Sequence, residues 1–189
     1  MRFMLLIPAA VALASAGAAA SASPAQDGAR CTVAGFVSAD GPAEVRSGPG
    51  RTFPVAGLIT ARDPQAELNR PAHFDAVEAR DGWFRVENAA PWSASNDAVR
   101  GVSGWLDGRA VGFSLQTHLG FAEPDPASAI RWRSRSMEEP ATVAALDCRG
   151  EWVKLLFRDA GETREGWFRG VCGNPDTSCD MPPGDVYRE

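Results

Sequence analysis

Histidine and tyrosine are nearly absent from this chain of 189 residues, whose histidines are His73 and His118 and whose single tyrosine is Tyr187. Catalysis needs a nucleophile beside a base, paired carboxylates in a cleft, or a bound metal. The sequence shows no Gly-x-Ser-x-Gly motif, no His-Glu-x-x-His motif and no phosphate-cradling loop. Two histidines in separate contexts do not replace those motifs. We therefore predict a protein that is not an enzyme and that uses no cofactor and no metal.

Positive charge is also scarce. Lysine and arginine number 19 against 24 acidic residues, which gives a formal net charge of -5. Because nucleic-acid binding rewards a basic patch, this balance argues against a nucleic-acid partner.

A long apolar run occurs at the N-terminus, where residues 3–13 follow Arg2 and lead to small residues at 20–22. This pattern is typical of a secretory signal peptide over residues 1–22, cleaved near Ala22. The run is short and rich in alanine for a membrane span. We therefore predict a secreted, periplasmic protein without stable membrane insertion.

The four cysteines all follow the predicted cleavage site. An even number of cysteines in an oxidising compartment predicts two disulfides. Cys172 and Cys179 flank a Gly-Asn-Pro-Asp turn sequence, which favours their pairing and leaves Cys31 with Cys148. The alternative pairs Cys148 with Cys172 and Cys31 with Cys179. It applies if the tryptophans on the two strands between Cys148 and Cys172 lie nearly opposite each other.

One sequence element occurs twice: a turn, a tryptophan that opens an alternating strand, and then a Gly-Trp pair. The first copy is 81–86 (DGWFRV) with 104–106 (GWL), and the second is 150–155 (GEWVKL) with 166–168 (GWF). Period-two alternation predicts strands with one face in a core, and each copy is expected to form an antiparallel hairpin. The residue after the tryptophan and the next but one, both apolar, should face that core.

Four pieces in order resemble the bacterial SH3 (SH3b) domain family of exported proteins: 45–49 (VRSGP), 54–58 (PVAGL), 81–86 and 104–106. The resemblance implies an all-β protein with two small SH3-like β-barrels in tandem, the second abridged and disulfide-stapled. It departs from the family in a long connection at 60–72 and in a polar loop at 88–100. The expected division is a first barrel at 31–120, a linker at 121–128, a second barrel at 129–180 and a disordered tail at 181–189.

In the second barrel, Arg133 and Ser134 offer a match for Arg46 and Ser47, although the following Gly-Pro is missing. Four arginines lie within or near this stretch and form either a solvated edge or an anion-contacting patch beside Trp132. These arginines are Arg131, Arg133, Arg135 and Arg149.

The tryptophans are the candidates for recognition, either as core residues or as an aromatic groove. The alternation places Trp83 and Trp152 on the face opposite the core, with indole edges within reach of a ligand. Trp92, in the loop at 88–100, either caps a barrel or anchors a ligand. The candidate ligand-binding residues are Arg46, Trp83, Arg85, Trp92, Trp105, Trp132, Trp152 and Trp167.

The resemblance implies a binding module that recognises cell-wall peptidoglycan or its peptides. One alternative is a periplasmic interaction or scaffold protein that binds an envelope protein through the loop at 88–100 or the arginine face. The other is an exported inhibitor of an envelope hydrolase. Polyproline binding is not expected, because the single tyrosine lies in the tail.

Overall fold

The computed structural model describes residues 28–39, 41–60, 71–91, 99–133 and 141–174. These residues form an all-β structure, as predicted, with a 3-10 turn at Gly108–Ala110 and no α-helix in the described ranges. In the same ranges no helix has the length and apolar character needed to cross a bilayer. The predicted signal peptide, Trp92, Arg135, Cys179 and the predicted disordered tail lie outside the described residues.

The strands are numbered in chain order. They are β1 (Ala29–Val37), β2 (Ala43–Arg46), β3 (Val55–Ile59), β4 (His73–Arg80), β5 (Trp83–Ala90), β6 (Gly104–Asp107), β7 (Val111–Gly112), β8 (Ser114–Leu115), β9 (Leu119–Phe121), β10 (Ile130–Arg133), β11 (Ala141–Arg149), β12 (Trp152–Asp159), β13 (Glu162–Phe168) and β14 (Val171–Cys172).

The strands form a seven-stranded sheet of order β3-β2-β6-β5-β4-β1-β7, a five-stranded sheet of order β10-β9-β13-β12-β11, and the pair β14-β8. All pairings within these sheets are antiparallel. The second sheet therefore repeats the order β3-β2-β6-β5-β4 of the first. We call these two five-stranded units the first and second repeats. Among the described strands β3 does not pair with β4, nor β10 with β11, so each repeat is an open sheet.

The two predicted hairpins are present, as β5-β6 and β12-β13. Register shifts also occur at matching places in the two repeats. One lies between β2 and β3 and again between β9 and β10. Two more lie near the start and in the middle of β4, and again near the start and in the middle of β11. A bulge reverses which side chains face the core. Because the bulges occur at matching places, the same strand positions face the core in both repeats.

This common register matches the residues of the two repeats. Arg46 lies opposite Trp105 on β6, and Phe121 lies opposite Trp167 on β13. Phe121 therefore takes the place of Arg46, and the proposed match of Arg133 with Arg46 is wrong. The reason is that β9 has only three residues and precedes the stretch in which the match was sought.

The segment at 121–128, predicted as a linker between two barrels, begins in β9 and leads to β10 of the same sheet. Residues 122–129 correspond to the turn at 47–54 of the first repeat. In the second repeat Ala122 N donates to Ala129 O at 2.8 Å, and in the first Ser47 N donates to Pro54 O at 3.0 Å. The proline-rich composition thus forms a turn inside the second repeat.

The inner faces of the two repeats share one hydrophobic core. Phe84, Val86, Val153 and Leu155 are fully buried there, which confirms the alternation predicted from the sequence. Within the second repeat a small residue makes room for a large one. A Cβ on Gly120 would lie 3.0 Å from the Phe168 ring, so the glycine leaves room for that phenylalanine.

The Cys31–Cys148 disulfide joins β1 of the first sheet to β11 of the second, with 5.6 Å between the Cα atoms. This bond confirms one predicted pairing and excludes the alternative in which Cys148 bonds Cys172. Trp167 lies opposite Lys154 and not opposite Trp152, so the condition for the alternative is not met. Cys172 is also disulfide-bonded.

Backbone contacts reinforce this junction between the sheets. Thr32 N donates to Gly150 O, and Gly150 N donates to Arg30 O, both at 2.8 Å. A Cβ on Gly108 would lie 2.0 Å from Ala145 O, so the 3-10 turn approaches β11 backbone to backbone. The two sheets are therefore held by a covalent bond, a shared core and close backbone packing.

Candidate binding site

Four predicted site residues share the outer face of the first sheet. Trp105 lies opposite both Arg46 and Arg85, so these three side chains form one row across β2, β6 and β5. Trp83 lies opposite Asp107 in the neighbouring row. The sheet register thus gathers residues that are distant in sequence onto one surface.

An open cleft of about 320 Å³ lies on this outer face, between the turn at 47–54 and the 3-10 turn after β6. Trp83 is half-buried and forms part of its wall. Cavities of this size fall within the range of small-ligand sites. The lining residues are Glu44, Arg46, Arg51, Trp83, Leu106, Asp107 and Ala110.

Arg46 supports the cleft through the backbone of the neighbouring turn. Its Nη1 donates to Arg51 O at 2.9 Å and to Phe53 O at 2.7 Å, and its Nη2 pairs with Glu44. The Phe53 ring lies over Gly48, where a Cβ would approach the ring Cδ1 to 2.3 Å. Because both Nη atoms of Arg46 are engaged, its main role is to fix the turn that carries Arg51.

Arg51 is the most available cation of the cleft. Its side chain is 70% exposed, and its Nη2 lies 3.8 Å from Asp107 Oδ2. Sequence reasoning missed this residue, although it directly follows the Ser-Gly-Pro-Gly turn that carries the family resemblance. A charged residue at the tip of such a turn could have been singled out.

Asp107 keeps the cleft partly acidic. Hydrogen bonds from the Arg109 side chain hold the pKa of Asp107 below its usual value. A backbone hydrogen bond from Arg109 N at 3.0 Å and the nearby charges of Arg109 and Arg51 lower this pKa further. Burial opposes this effect. The same contact raises the pKa of Arg109. The cleft therefore presents both charges: a reachable guanidinium and the carboxylates of Asp107 and Glu44.

The other residues of this face do not line the cleft. Trp105 is buried, and the Arg80 guanidinium lies over its ring at 5.8 Å. Arg85 is engaged with acids, at 2.9 Å from Glu87 and 3.9 Å from Glu78. Trp105 and Arg85 therefore have structural partners of their own.

The matching surface of the second repeat is filled by side chains. Trp152 and Trp167 are buried in a separate cluster with Leu119 and Phe121. The Phe121 ring meets the Trp152 ring edge-on at 5.3 Å, and the Arg169 guanidinium covers that indole at 5.3 Å. The predicted reachable edge of Trp152 is therefore wrong, because β9 contributes a phenylalanine where β2 contributes an arginine.

Trp132 is a core residue. Its ring packs edge-on against Phe157 at 5.5 Å and Phe168 at 5.7 Å. The anion-contacting patch predicted beside Trp132 therefore does not include its indole. Arg131 and Arg133, on either side of it in β10, are exposed.

The described ranges contain no group of three or more His, Cys, Asp or Glu side chains placed to hold a metal ion. No protein-family model, no curated protein and no solved structure matches this chain. The class of protein is therefore defined by the fold and the cleft: an all-β protein built on two five-stranded repeats, one of which carries an open, charged, aromatic-walled cleft.

Proposed function

We propose that this protein is a non-catalytic binding protein of the cell envelope, and that its first repeat acts as an SH3b-like module for peptidoglycan or its peptides. The observation that carries the proposal is the open cleft, in which half-buried Trp83 stands near the exposed Arg51. The tandem SH3-like interpretation extends to the second repeat, whose strand order matches the first.

The chemistry of the cleft suits a peptide that carries a carboxylate. A guanidinium binds a carboxylate through two parallel hydrogen bonds, and Arg51 extends such a group into solvent. Trp83 offers apolar area with a polar edge, which suits the methylene portion of a peptide. Glu44 and Asp107 add acceptors for an amine on the same ligand.

Export to the periplasm is part of this proposal. It rests on the charged, apolar and small-residue order of residues 1–22 and on the Cys31–Cys148 disulfide, since such bonds persist in oxidising compartments.

The test is sedimentation of the mature protein, from Ser23 onward, with purified peptidoglycan. We expect the wild type to pellet at low salt, and Arg51→Ala and Trp83→Ala each to weaken binding about tenfold. That is the size of one charge-assisted contact for Arg51 and of one aromatic contact for Trp83. Arg85→Ala is the matched control, because this arginine lies on the same face but is paired outside the cleft. A wild type that stays in solution, or folded cleft variants that pellet like the wild type, would contradict the proposal.

A protein partner is the second candidate, favoured by apolar side chains beside the cleft. Phe53, Val55 and Leu58 are 41%, 47% and 53% exposed, at the edge strand β3 and the turn before it. An exposed apolar edge strand is a common site of strand pairing. This function predicts that Leu58→Asp abolishes capture of a specific envelope protein, whereas Val143→Asp, at an exposed apolar position of the second repeat, preserves it.

A further inference from the structure

The indole of Trp83 lacks the partners that the other described tryptophans have. Those four rings pack against guanidinium groups or other aromatic rings: Trp105 under Arg80, Trp132 against Phe157 and Phe168, Trp152 against Phe121 and Arg169, and Trp167 under Arg149. Within the described part of the chain, no aromatic ring stacks on Trp83 and no cation lies over its face. The indole in the cleft wall is therefore the one that a ligand can use.

Two carboxylates lie in the same row of the sheet as this indole. Asp107 is directly opposite Trp83. Arg46 lies opposite Trp105, so two residues further along this antiparallel register Glu44 is level with Asp107. Side chains that are level on neighbouring strands share one face of the sheet, with Cβ atoms about 5 Å apart. All three groups line the cleft.

Both carboxylates keep an oxygen for a ligand. Glu44 pairs with Arg46 through Oε2, its Oε1 accepts no hydrogen bond from any described residue, and its side chain is 53% exposed. Asp107 Oδ1 accepts hydrogen bonds from Arg109 N and Nε, whereas Oδ2 accepts one from Arg109 Nη2 and lies 3.8 Å from Arg51. Because each carboxylate oxygen has two lone-pair sites, Oδ2 has room for a further donor.

An indole face beside two carboxylates is suited to an ammonium group. The face of an indole attracts a cation more strongly than other aromatic rings do, and the carboxylates accept hydrogen bonds from the same cation. The protein's own cations do not fill this place, because Arg46 is bonded to the backbone of its turn and Arg109 to Asp107. Arg51, 70% exposed at the same cleft, remains for a carboxylate of the ligand.

We propose that the cleft selects stem peptides that carry a free side-chain amine, with the ammonium group on Trp83 beside Glu44 and Asp107. This inference rests on the proposed function, because it names the part of the peptide that the cleft recognises. A cross-link between stem peptides is an amide bond on that amine, and acylation replaces a charged ammonium by a neutral amide. The module therefore binds uncross-linked peptides in preference to cross-linked ones.

The test is calorimetric titration of the mature protein with the tripeptide L-Ala-γ-D-Glu-meso-diaminopimelate, blocked at its alanine amine, and with the same peptide also acetylated on its side-chain amine. We expect this acetylation to weaken binding about tenfold, and Glu44→Gln to weaken binding of the free-amine peptide by a similar factor. Glu44→Gln should leave binding of the acetylated peptide unchanged within about twofold. Glu87→Gln is the matched control, because Glu87 is paired with Arg85 on the same face and does not line the cleft.

The possible failures of this test are distinct. Equal affinity for the two peptides would overturn the inference and leave the proposed function standing, whereas no binding of either peptide would overturn both. An equal loss in Glu87→Gln would indicate attraction by the charge of the whole face, and an equal loss for the acetylated peptide in Glu44→Gln would indicate a general role of Glu44. Either result would overturn the inference. Thermal unfolding of each variant confirms that it is folded.

Discussion

The two repeats have the same strand order and bulges, yet only the first has an open outer face at its leading tryptophan. In the first repeat, Arg46 turns toward the backbone of its own turn and leaves Trp83 half-buried beside a cleft. In the second, Phe121 occupies the matching place and packs on Trp152. One exchange of residue type therefore decides whether this surface can receive a ligand or becomes a small core.

Both repeats keep one feature of this surface. The arginine three residues before the leading tryptophan places its guanidinium over the tryptophan of the Gly-Trp pair: Arg80 over Trp105, and Arg149 over Trp167. The shared arginine stabilises the second tryptophan in each case. The residues that differ between the repeats, Arg46 and Phe121, then determine whether the leading tryptophan is open or covered.

The largest effect is expected from removing the bond that ties the two repeats together. The Cys31→Ser/Cys148→Ser variant opens a link across 117 residues, which the chain-entropy account values at about 5 kcal/mol of unfolding free energy. Urea denaturation should show this loss and still one transition, because the core is shared. Two separate transitions would show that the repeats fold independently.

Phe121→Arg would place an arginine in the second repeat at the position that Arg46 occupies in the first. It removes a fully buried ring from contact with Trp152, so we expect a loss of about 3–5 kcal/mol, the range for truncating a buried phenylalanine. Acrylamide quenching of tryptophan fluorescence should rise as the Trp152 indole becomes reachable. Unchanged quenching in a folded variant would mean that Phe121 does not keep this surface closed.

Gly108→Ala probes the backbone contact between the 3-10 turn and β11. The new methyl group would meet Ala145 O at 2.0 Å, and backbone on both sides leaves no flexible side chain to yield. We expect a loss of about 1–3 kcal/mol in thermal unfolding. Gly41→Ala is the control, because a Cβ there has no neighbour within 4 Å. Equal stability of the two variants would contradict close packing at this junction.

The smallest effect concerns the acid of the cleft. Because Arg109 depresses the pKa of Asp107 in the folded state, this carboxylate adds stability above its unfolded pKa of about 3.9, and the contribution disappears as pH falls through the folded value. Asp107→Asn should cost about 0.5 kcal/mol at neutral pH, as for exposed ion pairs. Denaturant titrations should show the difference from wild type shrinking below pH 4, and a constant difference would contradict this account.

Much of the hairpin structure follows from local sequence. Alternation placed Phe84 and Val86 in the core, and their counterparts Val153 and Leu155 as well, because side chains point to opposite faces of a strand in turn. The Cys31–Cys148 pairing also followed, since the turn sequence after Cys172 left those two cysteines for each other. The bulges and the three-residue strand β9 have no comparable pattern and were missed.

The sequence by itself determined which residues of each hairpin face the core, because strand periodicity depends only on neighbours along the chain. Only the tertiary structure decided what covers the opposite face. Phe121 packs on Trp152, Arg51 lines the cleft beside Trp83, and Arg131 of β10 and Arg149 of β11 line one hollow with Trp167. The strand partner and its register determine these contacts, and neither depends on local periodicity.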